Sequence, residues 1–408
     1  MPQVHVSALE GDLLLRGVWE GLGTPECHLA GGYVRDLLLG RESADLDLVL
    51  PGDLEAVRGP ARRLAARLDA SAHVLGRDEK RVWRIETPAL KVELWPLGEL
   101  DLTQDIRRRD FTCNALMWQM PFGPLVDLVG GIGDLETGTL RAVRKKNLEN
   151  DPVRLVRAAR FLAQFPDFDI DERTASWIRS LAPRIERAPS ERLGQELMKL
   201  LTVSDLKRGF RALLDLGLIQ QMERPTTRFD EAWITANLDA AARMQPSIHP
   251  NRAALVAAGR AAPLAMLLRA WSSPSPDAIA GYAWPRTVRL HAARAAGLLN
   301  ETLSAVDRPP AERRVVIHRA GEAFPAVLAF AAAVEPDHAW ERWWRQWRER
   351  GPDLVNPQPL LSGQEVSRAL GIHPGPALGR AMDAVTEAQV RGEIRTAGGA
   401  KRWLRKNA

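Results

Sequence analysis

Residues 30–50 read AGGYVRDLLLGRESADLDLVL, and the fold turns on how this stretch alternates. The short apolar segment His28–Ala30 has strand character and runs into Gly31 and Gly32. Tyr33–Leu39 then reads as a helix that stops at Gly40. Asp45–Leu50 (DLDLVL) alternates polar and apolar residues, so it is predicted as a strand with Leu46, Leu48 and Leu50 on its buried face. The same period of two puts Asp45 and Asp47 side by side on the other face. Asp53–Asp69 follows as a helix with Asp53 as its N-cap, then Arg81–Glu86 and Leu90–Trp95 as strands joined at Thr87–Pro88. Through residue 145 the chain therefore mixes strands and helices, an α/β or α+β unit. Beyond Asp151 the β signal nearly vanishes: Pro152–Gln164, Ser190–Leu201 and Asp205–Leu216 are predicted helices. Ser272–Asp277 (SSPSPD) and Asp307–Ala311 are predicted loops, and no internal repeat is present.

A chain of 408 residues exceeds what one hydrophobic core supports, so about two to four structural units are expected. With 45% hydrophobic and 26% charged residues, the composition argues against disorder. Two cysteines, Cys27 and Cys113, make neither a disulfide framework nor a Cys-rich zinc site, which favours a reducing compartment. The longest apolar run, Ala326–Val334, falls short of a bilayer span, and the N-terminal residues lack the pattern of a signal peptide. A cytoplasmic protein with no membrane partner is the expectation. The formal net charge of +5 permits a polyanionic partner without demonstrating one. Of the 56 basic residues only eight are lysine; the 48 arginines suit phosphate recognition, although a GC-rich genome would produce the same bias.

Several constellations carry chemistry. Gly31 and Gly32 leave a strand and open a helix, where backbone N–H groups can meet a phosphate, and Arg35 lies one turn further on. Asp45 and Asp47 repel each other unless a cation lies between them, and oxygen-only ligands suit Mg2+. Alone, DLD reads as a solvated edge strand; joined to the glycines and Arg35, it points to a nucleotide site. Arg107, Arg108 and Arg109 precede Asp110 and match a triphosphate, or form a solvated basic turn. Asp151, Arg154, Arg157 and Arg160 recur every three residues at the start of a helix with Pro152 in its first turn. Such a row can act as a template of protein: a carboxylate accepts from the exocyclic amine of cytosine or adenine while a guanidinium donates to the ring nitrogen. The alternative is a ladder of surface ion pairs. His338–Arg350 (HAWERWWRQWRER) places Trp340, Trp343, Trp344 and Trp347 on one helical stripe, predicted to pack in a core rather than to stack bases. Gly130, Gly131 and Gly133 are predicted to make a tight turn. No GxxxxGK[ST] or GxGxxG fingerprint occurs, which excludes P-loop and dinucleotide-binding readings.

The glycine pair, Arg35 and DLD resemble the nucleotidyltransferase superfamily that includes DNA polymerase beta. RRRDFTCNA (Arg107–Ala115), DLVGGIGDLETGTLRAV (Asp127–Val143), NDPVRLVRAARF (Asn150–Phe161), PRIERAPSERLGQELMKLL (Pro183–Leu201) and LLSGQEVSRALGIHPGPALGRAMDAV (Leu360–Val385) then resemble successive motifs of class II tRNA nucleotidyltransferases and bacterial poly(A) polymerases. The resemblance spans about half the chain in spaced motifs. It implies an α/β head of polymerase-beta type over residues 1–145, followed by an all-α neck (146–220), body (221–350) and tRNA-binding tail (351–408). Asp45 and Asp47 would hold Mg2+ as catalytic residues, with Glu93 of KVELWPL as the third carboxylate or else an ordinary strand residue. Gly31, Gly32, Arg35 and Arg109 would bind the triphosphate, Asp151 and Arg154 would read the base, and Arg157 and Arg160 would continue that face.

Two departures stand out. The family has Glu before the base-reading Asp, where this chain has Asn150, which keeps a hydrogen bond but not the charge. None of the eight histidines precedes an Asp, so the HD phosphohydrolase dyad of some relatives is absent; His249 and His373 precede prolines and read as loop residues. The implied reaction adds nucleotides to the tRNA 3′ end from CTP, and in some members ATP, by a monomer or homodimer. Relatives that add the terminal A carry a flexible loop after the strand matching Lys91–Trp95, and CC-adding relatives lack it. Here Pro96–Gln104 is nine residues, at most about 30 Å of extended chain, which predicts CC addition. Complete CCA addition, A addition, poly(A) synthesis and a catalytically inactive RNA-binding protein are the alternatives.

Overall fold

The computed structural model describes residues 7–23, 26–76, 81–203, 205–222, 229–271 and 282–407; the loop expected at 272–277 lies outside them. Helices α1 (Ser7–Gly11) and α2 (Leu13–Leu22) lead into β1 (His28–Ala30), α3 (Gly32–Leu38) and β2 (Asp45–Leu50). Then come α4 (Leu54–Arg67), β3 (Ala72–Leu75), β4 (Val82–Glu86), β5 (Lys91–Pro96), α5 (Leu102–Arg107), β6 (Met117–Gln119) and β7 (Leu125–Val126). The strands form one mixed sheet of order β3-β4-β5-β2-β1-β6-β7, in which only β2 and β5 pair in parallel. After it follow α6 (Gly131–Thr137), β8 (Thr139–Leu140), α7 (Lys145–Asn150), α8 (Val153–Gln164), β9 (Asp169–Ile170) and α9 (Glu172–Leu181), with β8 and β9 paired in parallel. The chain folds as two compact units, residues 1–188 with 216–218, and residues 189–215 with 219–408.

In the first unit, the alternation of β2 has the expected outcome: Leu46, Leu48 and Leu50 are buried. Helix α4 packs on β4 and β5 and presents Val57, Ala61 and Leu64 inward, and Asp53 caps it by accepting from the Ala56 N–H at 2.9 Å. On the other face Ala30, Val49, Ile106, Ala115 and Met117 form a second apolar cluster, which fills one end and leaves the acidic end of β2 outside it. Strands β3, β6 and β7 escaped the sequence reading because they are short and, at the edges, half-exposed. The glycine turn is organised by Asp127, whose carboxylate accepts from the backbone N–H groups of Val129, Gly130, Gly131 and Ile132 at 2.8–3.1 Å. Gly131 lies so close to the Thr112 carbonyl oxygen that any Cβ would collide with it.

The regular elements described in the second unit are all helical. Phe324–Val334 is buried on every side, and Trp343 stacks on Phe324 with ring planes 7° apart while Trp347 lies 5.1 Å from the same ring. The tryptophan stripe is therefore core packing, as its spacing predicts. The helical stretch Pro310–Val334 is long and apolar enough to cross a membrane by length and composition, and 72% of its apolar window is buried inside the protein. Leu361, Val366, Val385, Ala388, Ile394, Ala400 and Leu404 form a separate small core shared by helices Gly363–Leu370, Pro376–Arg391 and Ala397–Asn407. Lys401 in the last helix pairs with Glu365 at 3.0 Å, whereas Arg402, Arg405 and Lys406 are exposed.

Candidate active site

The sheet register builds an acidic row. Asp47 on β2 lies opposite Glu93 on β5, and Glu93 lies opposite Arg84 on β4. Directly paired residues share a face, so Asp45, Asp47 and Glu93 all project from the side of the sheet away from Leu46 and Leu48. Arg84 bonds Glu93 through two guanidinium nitrogens, and Lys91 Nζ stands 3.3 Å from Glu93 and 3.7 Å from Asp45. Burial, and then the neighbouring Glu93, pushes the Asp47 carboxyl up to about 6, against the pull of Arg109, the Trp95 indole and Lys91. Trp95 Nε1 donates to Asp47 Oδ1 at 3.3 Å.

Gly31 makes the neighbourhood possible. Its φ is +71°, and a Cβ there would lie 3.3 Å from Arg109 Nη1 and 3.5 Å from Asp47 Oδ2. Its own N–H donates to the Leu116 carbonyl, so Gly31 admits Arg109 to the Asp47 carboxylate rather than offering its amide to a phosphate. The arginine run is not a free triple clamp. Arg108 and Arg109 each bond one oxygen of Asp105, at 2.7 and 2.9 Å, and Arg107 and Arg108 are exposed. Asp105 lies three and four residues before them, the i,i+3 and i,i+4 spacing that could have revealed it.

Arg35 departs most from expectation. Instead of reaching an anion it is buried, donating to both oxygens of Asp36 at 2.9 and 2.8 Å and to Asn114 Oδ1 at 2.6 Å, with Phe161 and Phe165 against its guanidinium. The Asn114 amide donates onward to Asp110 at 3.1 Å, and Asp110 accepts from Arg157 at 2.8 Å. Burial raises the Asp110 carboxyl, but Arg157 and Arg154 outweigh it and hold the group well below the usual carboxylate range. One connected polar chain thus runs from α3 to α8. Arg157 faces Asp110, and Arg160 bonds Gln164 at 2.8 Å over the Phe161 ring.

Asp151 and Arg154 are brought together at the start of α8, with Arg154 Nε 3.8 Å from Asp151 Oδ2. Arg154 Nη1 also donates to the carbonyls of Arg108 and Asn147 at 2.9 and 3.2 Å. Asn150 is exposed at the end of α7, and the adjacent Glu149 is bonded to Arg184 and Lys146, so carbonyl oxygens and Asp151 orient Arg154 where a Glu would otherwise stand. Among the described residues no three acidic, His or Cys side chains are drawn close enough to hold an ion. The donor chemistry nonetheless fits one: Asp45 and Asp47 share a face, and the raised Asp47 marks a half-buried negative charge beside Glu93 that a cation would relieve. Glu93, turned to Arg84 and Lys91, stands behind this pair. His249 is a buried structural residue, bonded to the Ala329 carbonyl at 2.9 Å.

Comparison with known proteins adds to this geometry. Residues 27–141 match the poly A polymerase head domain, and residues 167–225 match the probable RNA and SrmB-binding site of polymerase A. The CC-adding tRNA nucleotidyltransferase of a Synechocystis species is 29% identical over 91% of each chain. The A-adding enzyme of Deinococcus radiodurans is 30% identical over 91% of this chain and 93% of its own. In fold, the Bacillus stearothermophilus CCA-adding enzyme in complex with CTP matches with a TM-score of 0.66 at 23% identity, covering 96% of each chain. Head motifs, sheet and relatives aligned almost end to end agree: the protein is a nucleotidyltransferase of the tRNA nucleotidyltransferase and poly(A) polymerase family.

Proposed function

We propose that the protein adds CC to the 3′ end of tRNA from CTP. The tRNA 3′-hydroxyl attacks the α-phosphate, a new phosphodiester bond forms, and pyrophosphate leaves. The observation that carries the CC reading is the connection from β5 to α5. Only Leu97 to Asp101 lie between them. The Leu97 and Gly98 N–H groups donate to the carbonyls of Leu50 and Gly52, both at 2.9 Å, and Asp101 and Gln104 form a capping box. A segment so short and so bonded leaves no length for a lever that would reshape the pocket for ATP. Similarity to the CC-adding enzymes of Synechocystis and Thermus thermophilus supports the same reading, while the equally similar A-adding relative keeps A addition as the second one.

In this reading Arg109, beside Asp47, takes the triphosphate with Gly32, Arg107 and Arg108, and Asp105 aims it. Asp151 accepts from the cytosine amine, Arg154 donates to the ring nitrogen, and a uracil carbonyl would face the Asp151 carboxylate instead. Arg35 positions the arginine segment through Asn114. Family members generally work with divalent ions; the oxygen donors of Asp45 and Asp47 fit Mg2+. When bound, the ion supplies charge neutralisation at the reacting phosphate. Free, buried Cys27 and Cys113 accord with action in the cytoplasm. The test is incubation with tRNA lacking its CCA end, given CTP, ATP or both. Growth by two residues with CTP and none on adding ATP is expected; ready ATP incorporation onto tRNA ending in CC would sink CC addition.

A further inference from the structure

The Asn147 side chain has so far been given no role, yet the residue is buried and its side-chain nitrogen donates to two carbonyls of the arginine segment, Arg107 and Arg109, each at 2.8 Å. An amide nitrogen has two protons, and here both have acceptors. The carbonyl between those two, Arg108, accepts from Arg154 Nη1 at 2.9 Å, and the same nitrogen donates to the Asn147 carbonyl at 3.2 Å. Three consecutive carbonyls of the arginine segment are thus held by two residues, and those two residues hold each other. Fixing three successive peptide oxygens fixes the planes between them. The directions in which Arg108 and Arg109 leave the backbone are thereby set, and Arg109 points to Asp105, Gly31 and Asp47.

We propose that Asn147 is a positioning residue that couples base choice to alignment of the triphosphate, so that a wrong base is rejected through the rate of transfer rather than through nucleotide affinity. The inference rests on the reading of Arg154 as base reader and Arg109 as triphosphate ligand. When the correct base engages Arg154, its Nη1 stays on the Arg108 carbonyl, and Asn147 keeps the flanking carbonyls in register. A uracil that turns Arg154 away loosens the Arg108 carbonyl and with it the aim of Arg109. Misalignment of reacting groups costs rate more than binding.

The test is single-turnover addition to tRNA lacking its CCA end, with CTP or UTP varied, by the unaltered full-length protein, Asn147→Ala and Asn147→Ser. For the unaltered protein, UTP is expected to have a far lower maximal rate than CTP at a similar apparent Kd. Asn147→Ala should lower the maximal rate with CTP about tenfold, the size of one or two ordinary hydrogen bonds. The rate with UTP and the apparent Kd for CTP should hardly change, so discrimination shrinks by that factor. Asn147→Ser, which keeps one donor, should fall between the two, and it decides alone if the alanine variant does not fold. Equal loss with CTP and UTP, or a lowered melting midpoint with unchanged discrimination, overturns the coupling. No transfer by the unaltered protein overturns the functional reading as well, a result distinct from a working protein whose discrimination ignores Asn147.

Discussion

Asp47→Asn should make the metal-free protein more stable while removing its activity. The Asp47 carboxyl lies at about 6 against an ordinary 3.8, raised first by burial and then by Glu93. A carboxyl whose folded value lies above its unfolded value binds its proton more tightly when folded. Stability is therefore greatest below about pH 4, falls as pH rises through about 6, and stays lowered above it. At about 1.4 kcal/mol per pH unit, the ionised group costs about 3 kcal/mol at neutral pH. Asparagine keeps an oxygen for the Trp95 indole and carries no charge, so it removes that cost. For a unit of this size about 3 kcal/mol corresponds to roughly 6–12 °C in melting midpoint. Calorimetry in EDTA at pH 7.5 should show the gain, and at pH 4 it should nearly vanish. Added Mg2+ should raise the midpoint of the unaltered protein more than that of the variant. A variant no more stable than the parent at pH 7.5, or one with the same advantage at pH 4, would refute the argument that the Asp47 carboxylate is only partly compensated by Arg109, Trp95 and Lys91.

Asp45→Ala should abolish transfer in Mg2+ while tRNA binding stays nearly intact, because phosphate contacts elsewhere supply affinity; turnover above a few per cent would remove it from the metal pair. Replacing Asp151 and Arg154 together by Ala should let UTP or GTP be incorporated, read by sequencing the products; an unchanged base preference would dismiss them as base readers. Neutralising Arg402, Arg405 and Lys406 should weaken tRNA binding and flatten its dependence on salt, whereas Lys401→Gln, which loses its bond to Glu365, should act on stability instead. Gly131→Ala should cost about 1–3 kcal/mol through collision with the Thr112 carbonyl, visible as a lower melting midpoint; an unchanged midpoint would mean the turn yields freely.

Period-two alternation was enough to find β2, its buried leucines and the acidic pair on its other face, because a half-buried strand writes its two faces into neighbouring residues. Glu93 could be guessed from the superfamily pattern, but only the parallel register of β2 with β5 sets it opposite Asp47. The arginines misled for a consistent reason. Arg35 read as a phosphate ligand, and Arg157 as part of the nucleotide-binding face, because charge in a motif suggests a ligand, yet each meets an acid of the same chain, Asp36 or Asp110. Of these partners, Asp110 lies 47 residues from Arg157, beyond any local pattern. Asn147 had no signal at all: an amide that holds backbone carbonyls leaves no trace in composition or period.

The polar chain from Asp36 through Arg35, Asn114 and Asp110 to Arg157 also bears on how such enzymes can exchange parts. A recombination event that joined residues 1–145 of this chain to a foreign neck would separate Asp110 from Arg157 and leave a buried carboxylate without its counter-ion, at a cost of about 3–5 kcal/mol. The piece that can be inherited whole is longer than the catalytic sheet. It includes α8, and the first compact unit runs to Ala188. The catalytic sheet and helix α8 are thus one inherited piece, joined by a buried ion pair that a break at residue 145 would open.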